Sequence, residues 1–280
     1  MGMRFLSQRW LQVLGGGVIL FFAAEQGLKL TRNLNLIPTV ILVGAFVAPV
    51  TFVSYFFSAE RRMDRRLHAD MSLPLVATSF LVGGAIGVLA AGVLEYSALT
   101  AMRVGTLFGV AVIEEAAKLV VPILVFLFSR YRSQADGVLF GVATGMGFAA
   151  LETMGYGMVA FIRSQGDVGV LQEVLLVRGL LSPLGHAAWT GLVCSVLWRV
   201  RQRTGRSFGV IVLLAFVSAV LLHASWDLVG TVSSTAVTYG GYAIIGGISL
   251  TLLIRQLSSA RRLTLMQAPK HENDSPAAPD

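Results

Sequence analysis

An apolar run from residue 104 to residue 129 holds three charged side chains near its middle, and no other feature constrains the fold as much. The run, VGTLFGVAVIEEAAKLVVPILVFLFS, is long enough to cross a bilayer, since about 20 apolar residues suffice. Glu114, Glu115 and Lys118 lie inside it. Each such charge at the centre of a spanning helix is disfavoured by roughly 2.5 to 3.5 kcal/mol. Lys118 can reach either carboxylate at helical spacing but cannot neutralise both, so we expect polar partners on neighbouring helices.

The rest of the composition is that of a polytopic membrane protein. Hydrophobic residues make up 55% of the chain and charged residues 13%, against about 25% charged in soluble domains. We therefore predict an all-α helical bundle of about eight transmembrane helices over residues 1–262, with catalytic helices at about 104–231, and a disordered tail over 263–280. The predicted segments are about 10–28, 36–57, 73–94, 104–129, 136–161, 174–198, 208–231 and 236–254.

The first segment also has features of a signal peptide, because Arg4 and Arg9 precede it and Glu25 shortens its apolar part. We expect an uncleaved helix, since no convincing small-residue cleavage site precedes a mature domain. The single cysteine, Cys194, lies in an apolar run. It therefore predicts neither a disulfide framework nor a thiolate metal site.

The basic residues alternate between the predicted loops. Of the 22 Lys and Arg, sixteen fall at the two termini and in the second, fourth and sixth loops, while the other four loops hold four. The positive-inside rule predicts both termini in the cytoplasm of a multi-pass cell-membrane protein. The net charge of +7 then reflects membrane orientation and contact with membrane lipids, not binding of nucleic acid.

The ionisable residues concentrate in predicted helices four to seven. Apart from Glu25 and Lys29, we expect no ionisable side chain inside helices one, two, three and eight. At 1.5 Å per residue, one group from each inner helix lies roughly 12 to 18 Å below the outer boundary, namely Glu114, Glu152, His186 and His223, so we expect them in one layer. Asp227 lies one turn further out, so we expect it at the mouth of the site. The candidate site residues are Glu114, Glu115, Glu152, His186, His223 and Asp227, supported by Lys118.

Several polar and aromatic residues have plainer interpretations. Arg178, near the outer end of helix six, is expected to reach the headgroups. Tyr156, Trp189 and Trp226 are expected to pack or to lie at the interface, and Lys118 is either a counter-ion or a catalytic group.

Carboxylates and imidazoles without a paired Ser or Cys nucleophile are suited to activating water, either by a Glu general base or through a metal. The zinc-protease motif H-E-x-x-H is absent, but zinc held by Glu152, His186 and His223 from separate helices remains open. The alternatives are a proton-coupled transporter or channel that uses the same cluster, and a membrane scaffold. We find no internal repeat of the kind that transporters show.

Four separated motifs resemble those of the PrsW family of intramembrane proteases, which are similar to the type II CAAX prenyl endopeptidases. They are Glu114-Glu115-x-x-Lys118, Phe148-x-x-x-Glu152, an isolated His186 and His223-x-x-x-Asp227. In the CAAX enzymes the second motif ends in His and the last in Asn.

The resemblance implies an intramembrane endopeptidase in which Glu114 activates water with Glu152 as its partner. It further implies that His223 and Asp227 bind or polarise the scissile carbonyl. The implied substrate is a single-span membrane protein such as an anti-sigma factor, cleaved near the extracytoplasmic face. The resemblance leaves open whether a metal takes part, and the residues by themselves do not decide which of Glu114 and Glu115 is the base.

Overall fold

The computed structural model describes residues 8–63, 72–101 and 106–267, and this part of the chain contains helices and no strand. The ten α-helices are α1 (Arg9–Thr31), α2 (Ile37–Met63), α3 (Leu73–Ala101), α4 (Thr106–Lys118), α5 (Val120–Phe128), α6 (Gln134–Arg163), α7 (Val168–Leu181), α8 (His186–Thr204), α9 (Val210–Gly230) and α10 (Thr235–Gln267). Short 3-10 turns, Leu34–Leu36 and Ser182–Leu184, precede α2 and α8.

Seven helical stretches of the described chain are long and apolar enough to cross a membrane. One of them, Val168–Thr204, joins α7, the 3-10 turn and α8. The predicted all-α polytopic bundle is confirmed. The last helix extends beyond its predicted span to Gln267, whereas the rest of the predicted tail and the Arg-rich loop around His68 lie outside the described residues.

The predicted fourth span is a broken helix. It forms α4 and α5, and Leu119 between them lies outside both. Pro122 explains the break, because proline has no N–H to donate to the carbonyl four residues earlier, that of Lys118. The chain therefore ends α4 at Lys118, where a positive charge interacts favourably with the helix dipole.

Helix α6 lies at the centre of the bundle. In its most apolar window 83% of the residues are buried, against 17% for α1 and for α10. Glycines on two of its faces let neighbouring backbones approach closely. A Cβ on Gly141 would lie 2.7 Å from the Thr190 carbonyl oxygen of α8, and one on Gly147 would overlap the Phe80 carbonyl of α3.

Polar side chains fix the start of α6 against two other helices. Ser133 and Asp136 form a capping box at its N-terminus. The Gln134 amide donates to the hydroxyl of Ser195 at 2.9 Å and to the side-chain oxygen of Gln256 at 3.2 Å. These bonds tie α6 to α8 and α10 at one end, so their other ends are held in register around the site.

The outer helices differ from the prediction at one residue. Helix α3 continues to Ala101, so Glu95 lies inside a candidate span, although no ionisable residue was expected within that helix. Its Oε1 is buried, and no described residue hydrogen-bonds it. In α1 the two expected ionisable residues pair with each other, with Lys29 2.5 Å from the buried Glu25.

Candidate active site

A cavity of about 490 Å³ opens between α4, α6, α7, α8, α9 and α10. Its charged and imidazole-bearing lining residues are Glu114, Glu152, Arg178, His186, His223 and Asp227. Five of the six predicted site residues therefore line one space, although they come from four helices. The sixth, Glu115, is buried behind the wall together with Lys118.

Glu115 is the hub of the first network. Its Oε1 accepts a hydrogen bond from Lys118 Nζ at 2.8 Å and lies 2.9 Å from His223 Nδ1. Lys118 also donates to Glu114 Oε2 at 3.1 Å, and its ammonium sits 4.2 Å above the ring of Phe148. Glu115 and Lys118 are only 1% and 0% exposed, so each charge compensates the other in a place that water does not reach.

The bond to Glu115 sets the orientation of the His223 ring. With Nδ1 held by Glu115, Nε2 lies 3.7 Å from Glu114 Oε2 and 3.5 Å from Asp227 Oδ2. Trp189 stacks on the ring with centroids 4.7 Å apart, and its own Nε1 donates to Ser249 Oγ at 2.9 Å. The imidazole is thereby fixed by a carboxylate at one nitrogen and an indole on one face.

Helical spacing explains the position of Asp227. His223 and Asp227 are four residues apart in α9, so both side chains lie on the same face of the helix. The Asp227 side chain is 27% exposed and that of His223 is 4% exposed. Asp227 therefore lies nearer the opening of the cavity, as its depth in the sequence predicted.

Glu152 is the hub of a second network. Its Oε2 lies 2.6 Å from Arg178 Nη2 and 3.3 Å from His186 Nε2. Arg178 also donates from Nε to Thr153 Oγ1 at 3.2 Å, and its guanidinium lies 4.0 Å from the ring of Tyr156. The expectation that Arg178 extends to the headgroups is therefore wrong, because a carboxylate within the bundle offers the cation a closer partner.

His186 stands at the start of α8, directly after the 3-10 turn that contains Pro183. Its ring lies 5.6 Å from that of Phe148 and 6.0 Å from that of His223. Nδ1 is buried, and no described residue hydrogen-bonds it. His186 thus lies between the two networks.

Sequence reasoning missed two residues that shape the site. The prediction for Arg178 relied on its distance from the end of its helix. The informative feature was the excess of buried carboxylates, because a second cation besides Lys118 is needed to compensate their charge. Trp189 was taken as packing, and its spacing from His186 offered no sign that it would stack on His223. Its contact depends on how α8 and α9 meet.

The fold and the cavity define a class: a helical membrane protein with acid–base groups gathered inside the bundle, as an intramembrane hydrolase requires. The family model of the PrsW family of intramembrane metalloproteases matches residues 71–254, which is more than half of the chain and includes every residue of the cavity named above. The chain belongs to this family, and the proposed resemblance is confirmed. Intramembrane proteolysis is therefore its general activity. The comparisons with curated proteins and with solved structures gave no match.

Because the family is one of metalloproteases, a metal is possible in the cavity, and whether one fits depends on the arrangement of the side chains that could be its ligands. Zinc needs three or four ligand atoms that converge about 2.0 to 2.3 Å from one point. Within the ranges that the structure describes, no group of three His, Cys, Asp or Glu is arranged to hold a metal. Of the candidate ligands, Glu152 binds the Arg178 guanidinium through Oε2 at 2.6 Å, so a metal cation at that oxygen would be repelled. The donors in this arrangement do not fit a metal.

Proposed function

We propose that the protein hydrolyses a peptide bond of a single-span membrane protein with Glu114 as the general base. The observation that supports this role most strongly is the division between the two adjacent glutamates. Glu114 lines the cavity, whereas Glu115 is 1% exposed and already accepts hydrogen bonds from Lys118 and His223. Of the two, only Glu114 faces the cavity, so only its carboxylate can take a proton from a water molecule that attacks a bound substrate.

The reaction then follows the usual course of general-base hydrolysis. Glu114 accepts a proton as the water oxygen forms a bond to the carbonyl carbon. The carbonyl oxygen becomes an oxyanion, and collapse of the intermediate breaks the carbon–nitrogen bond. Glu114 returns its proton to the leaving amine, so the carboxylate is regenerated.

His223 is positioned to stabilise the oxyanion. Glu115 holds Nδ1–H, and Nε2 faces the cavity beside Glu114 and Asp227. In the proposed mechanism the doubly protonated ring donates Nε2–H to the developing oxyanion. A preorganised donor of this kind contributes about 10² to 10³ in rate.

The orientation in the membrane belongs to the same proposal. Both termini are cytoplasmic, the cavity lies in the outer half of the bilayer, and cleavage occurs near the extracytoplasmic face of the cell membrane. The sixteen-to-four division of basic loop residues supports this orientation. A membrane-anchored regulator such as an anti-sigma factor is the substrate type that the resemblance suggests.

The glutamate mechanism is preferred to a metal mechanism because cations already occupy the carboxylates. Lys118 binds Glu114 and Glu115, and Arg178 binds Glu152. A metal at these oxygens would have to displace or repel an ammonium or a guanidinium group.

The test is a cleavage assay with purified protein in lipid vesicles and a labelled single-span membrane protein. Mass spectrometry of the fragments identifies the cleaved bond. We expect cleavage that survives exhaustive dialysis against a chelator, and no stoichiometric zinc in the active protein. Loss of cleavage on dialysis, with recovery on addition of Zn²⁺, would reject the glutamate mechanism while leaving peptidase activity intact.

A further inference from the structure

The Arg178–Glu152 pair has hydrogen-bonding capacity that the protein leaves unused. Both residues line the cavity, and their side chains are 26% and 18% exposed. Arg178 and His186 both contact Oε2 of Glu152, while no described residue hydrogen-bonds Oε1. A guanidinium has five N–H groups, and the contacts with Glu152 and Thr153 involve only Nη2 and Nε.

The surrounding residues hold this pair rigidly. Thr153 accepts from Nε at 3.2 Å, Tyr156 lies 4.0 Å beneath the guanidinium, and the Ser182 hydroxyl donates to the backbone carbonyl of Arg178. The pair joins α6 to α7, whereas Glu114 and His223 belong to α4 and α9. It therefore forms a wall of the cavity that is separate from the proposed base and oxyanion donor.

A simple counter-ion for Glu152 would not need to face the cavity. Here an anionic acceptor and cationic donors stand 2.6 Å apart and are both accessible from the same space. One residue of an extended peptide presents its N–H and its C=O side by side in the same direction, as in a β-ladder. A helical peptide does not, because both groups are bonded within the helix.

We propose that the Arg178–Glu152 pair binds the backbone of the substrate in extended form. Glu152 Oε1 accepts the N–H of one substrate residue, and an N–H of Arg178 donates to the C=O of that residue. The inference rests on the proposed function, since it requires a peptide in the cavity. The ligand class is an unwound segment of a membrane-anchored protein, recognised through its main chain and not through a particular side chain.

This role predicts a binding defect when the geometry of the pair changes. Arg178→Lys keeps the positive charge but replaces the planar guanidinium by an ammonium whose three N–H groups share one nitrogen, so it cannot reach both Glu152 and the substrate carbonyl in the same geometry. We expect KM to rise about tenfold or more while kcat changes less than threefold, because a charged group loses one hydrogen bond to the bound peptide. Arg163→Lys, at the exposed end of α6, is the matched control and should leave both constants unchanged.

The decisive experiment replaces single backbone amides of the substrate by esters. An ester at the amide whose N–H Glu152 accepts removes that donor, and an ester at the next amide, whose carbonyl Arg178 binds, leaves a weaker acceptor. Affinity is measured by fluorescence anisotropy with the labelled single-span protein, in the Glu114→Gln background, which binds without cleaving in the proposed mechanism. We expect esters at these two adjacent positions near the cleavage site to weaken binding, the first of them about tenfold.

The same ester scan with Arg178→Lys added separates binding from a structural role. If the pair binds the main chain, the ester at the amide whose carbonyl Arg178 binds costs little further affinity in this variant, because that interaction is already lost. An equal loss from this ester in both backgrounds, or the lack of any sensitive position, would overturn the inference. Cleavage by the Glu114→Gln protein would instead reject the proposed base, so the two failures are distinguishable. The melting temperature of Arg178→Lys, compared with that of Arg163→Lys, checks that the variant is folded.

Discussion

Glu115 is the residue on which the charged network depends. It carries a buried negative charge that accepts hydrogen bonds from Lys118 on its own helix and from His223 on α9. It does not touch the cavity, so in the proposed mechanism it acts on catalysis through the orientation of His223. A residue of this kind influences both the stability of the fold and the rate of the reaction.

The substitution Glu115→Gln tests this double role. The amide accepts more weakly than the carboxylate and leaves the Lys118 ammonium with one charged partner, so we expect a loss of about 2 to 3 kcal/mol in stability. We also expect a lower kcat, since His223 loses its anchor. Thermal unfolding in detergent and the cleavage assay measure the two effects, and Glu173→Gln, an exposed carboxylate on α7, is the control. An unchanged melting temperature would contradict the hub role.

At this scale, the sequence predicted which residues line the cavity, but it did not predict which of them pair with each other. Buried charges in an apolar sequence are conspicuous, so Glu114, Glu152, His186, His223 and Asp227 were all found. Consecutive residues of a helix point in directions about 100° apart, and the neighbouring helices decide which of them faces a cavity. The sequence therefore left Glu114 and Glu115 equivalent until the position of α9 was known.

At the scale of elements, a close helix contact at glycine residues determines where the imidazole of His186 lies. Gly137, Gly141 and Gly145 recur every four residues on the face of α6 that meets α8. A Cβ on Gly145 would overlap the carbonyl oxygen of His186. The absence of side chains at these glycines of α6 therefore allows the start of α8, and with it His186, to lie this close to α6.

We predict that Gly145→Ala lowers both stability and turnover. The added methyl forces the His186 backbone outward, which costs roughly 1 to 3 kcal/mol as overpacking does in cores, and shifts His186 from Glu152. Gly155→Ala is the control, because a Cβ there meets no atom within 4 Å. Melting temperature and kcat are compared for the two variants. Equal behaviour of Gly145→Ala and Gly155→Ala would contradict the close-contact explanation.

The broken fourth span shows where element prediction failed. Hydropathy predicted a continuous segment over 104–129, and length alone supported it. The structure ends α4 at Lys118, because Pro122 withdraws a backbone donor next to the charged residues. Irregular backbone at membrane depth is tolerated only inside protein or beside a cavity, so the break itself marks the functional region.

At the scale of the whole molecule, the arrangement of the helices around α6 was not available from the sequence. Hydropathy and basic loops predicted the spans and their order, but contacts between helices arise from side-chain shape. The inner helices were correctly expected to carry the charged groups, with Glu95 of α3 as the exception. Its position depended on a helix end that sequence patterns locate poorly.

The orientation of the molecule is a prediction that a reporter can test. A reporter enzyme that is active only outside the cytoplasm should indicate a cytoplasmic position when it is fused after Arg262. The same reporter inserted after Gln165, between α6 and α7, should indicate an extracytoplasmic position. The two fusions control for each other, since a single orientation must give opposite signals. An extracytoplasmic signal after Arg262 would contradict the topology.

The measurement that tests the central claim most directly is the single-turnover cleavage rate of Glu114→Gln. This change keeps the shape of the side chain and removes the group that takes the proton from water. We predict a rate lower by about 10² to 10⁴, with substrate affinity and melting temperature close to those of the wild type and of Glu173→Gln. Undiminished cleavage by Glu114→Gln would show that another group activates the water.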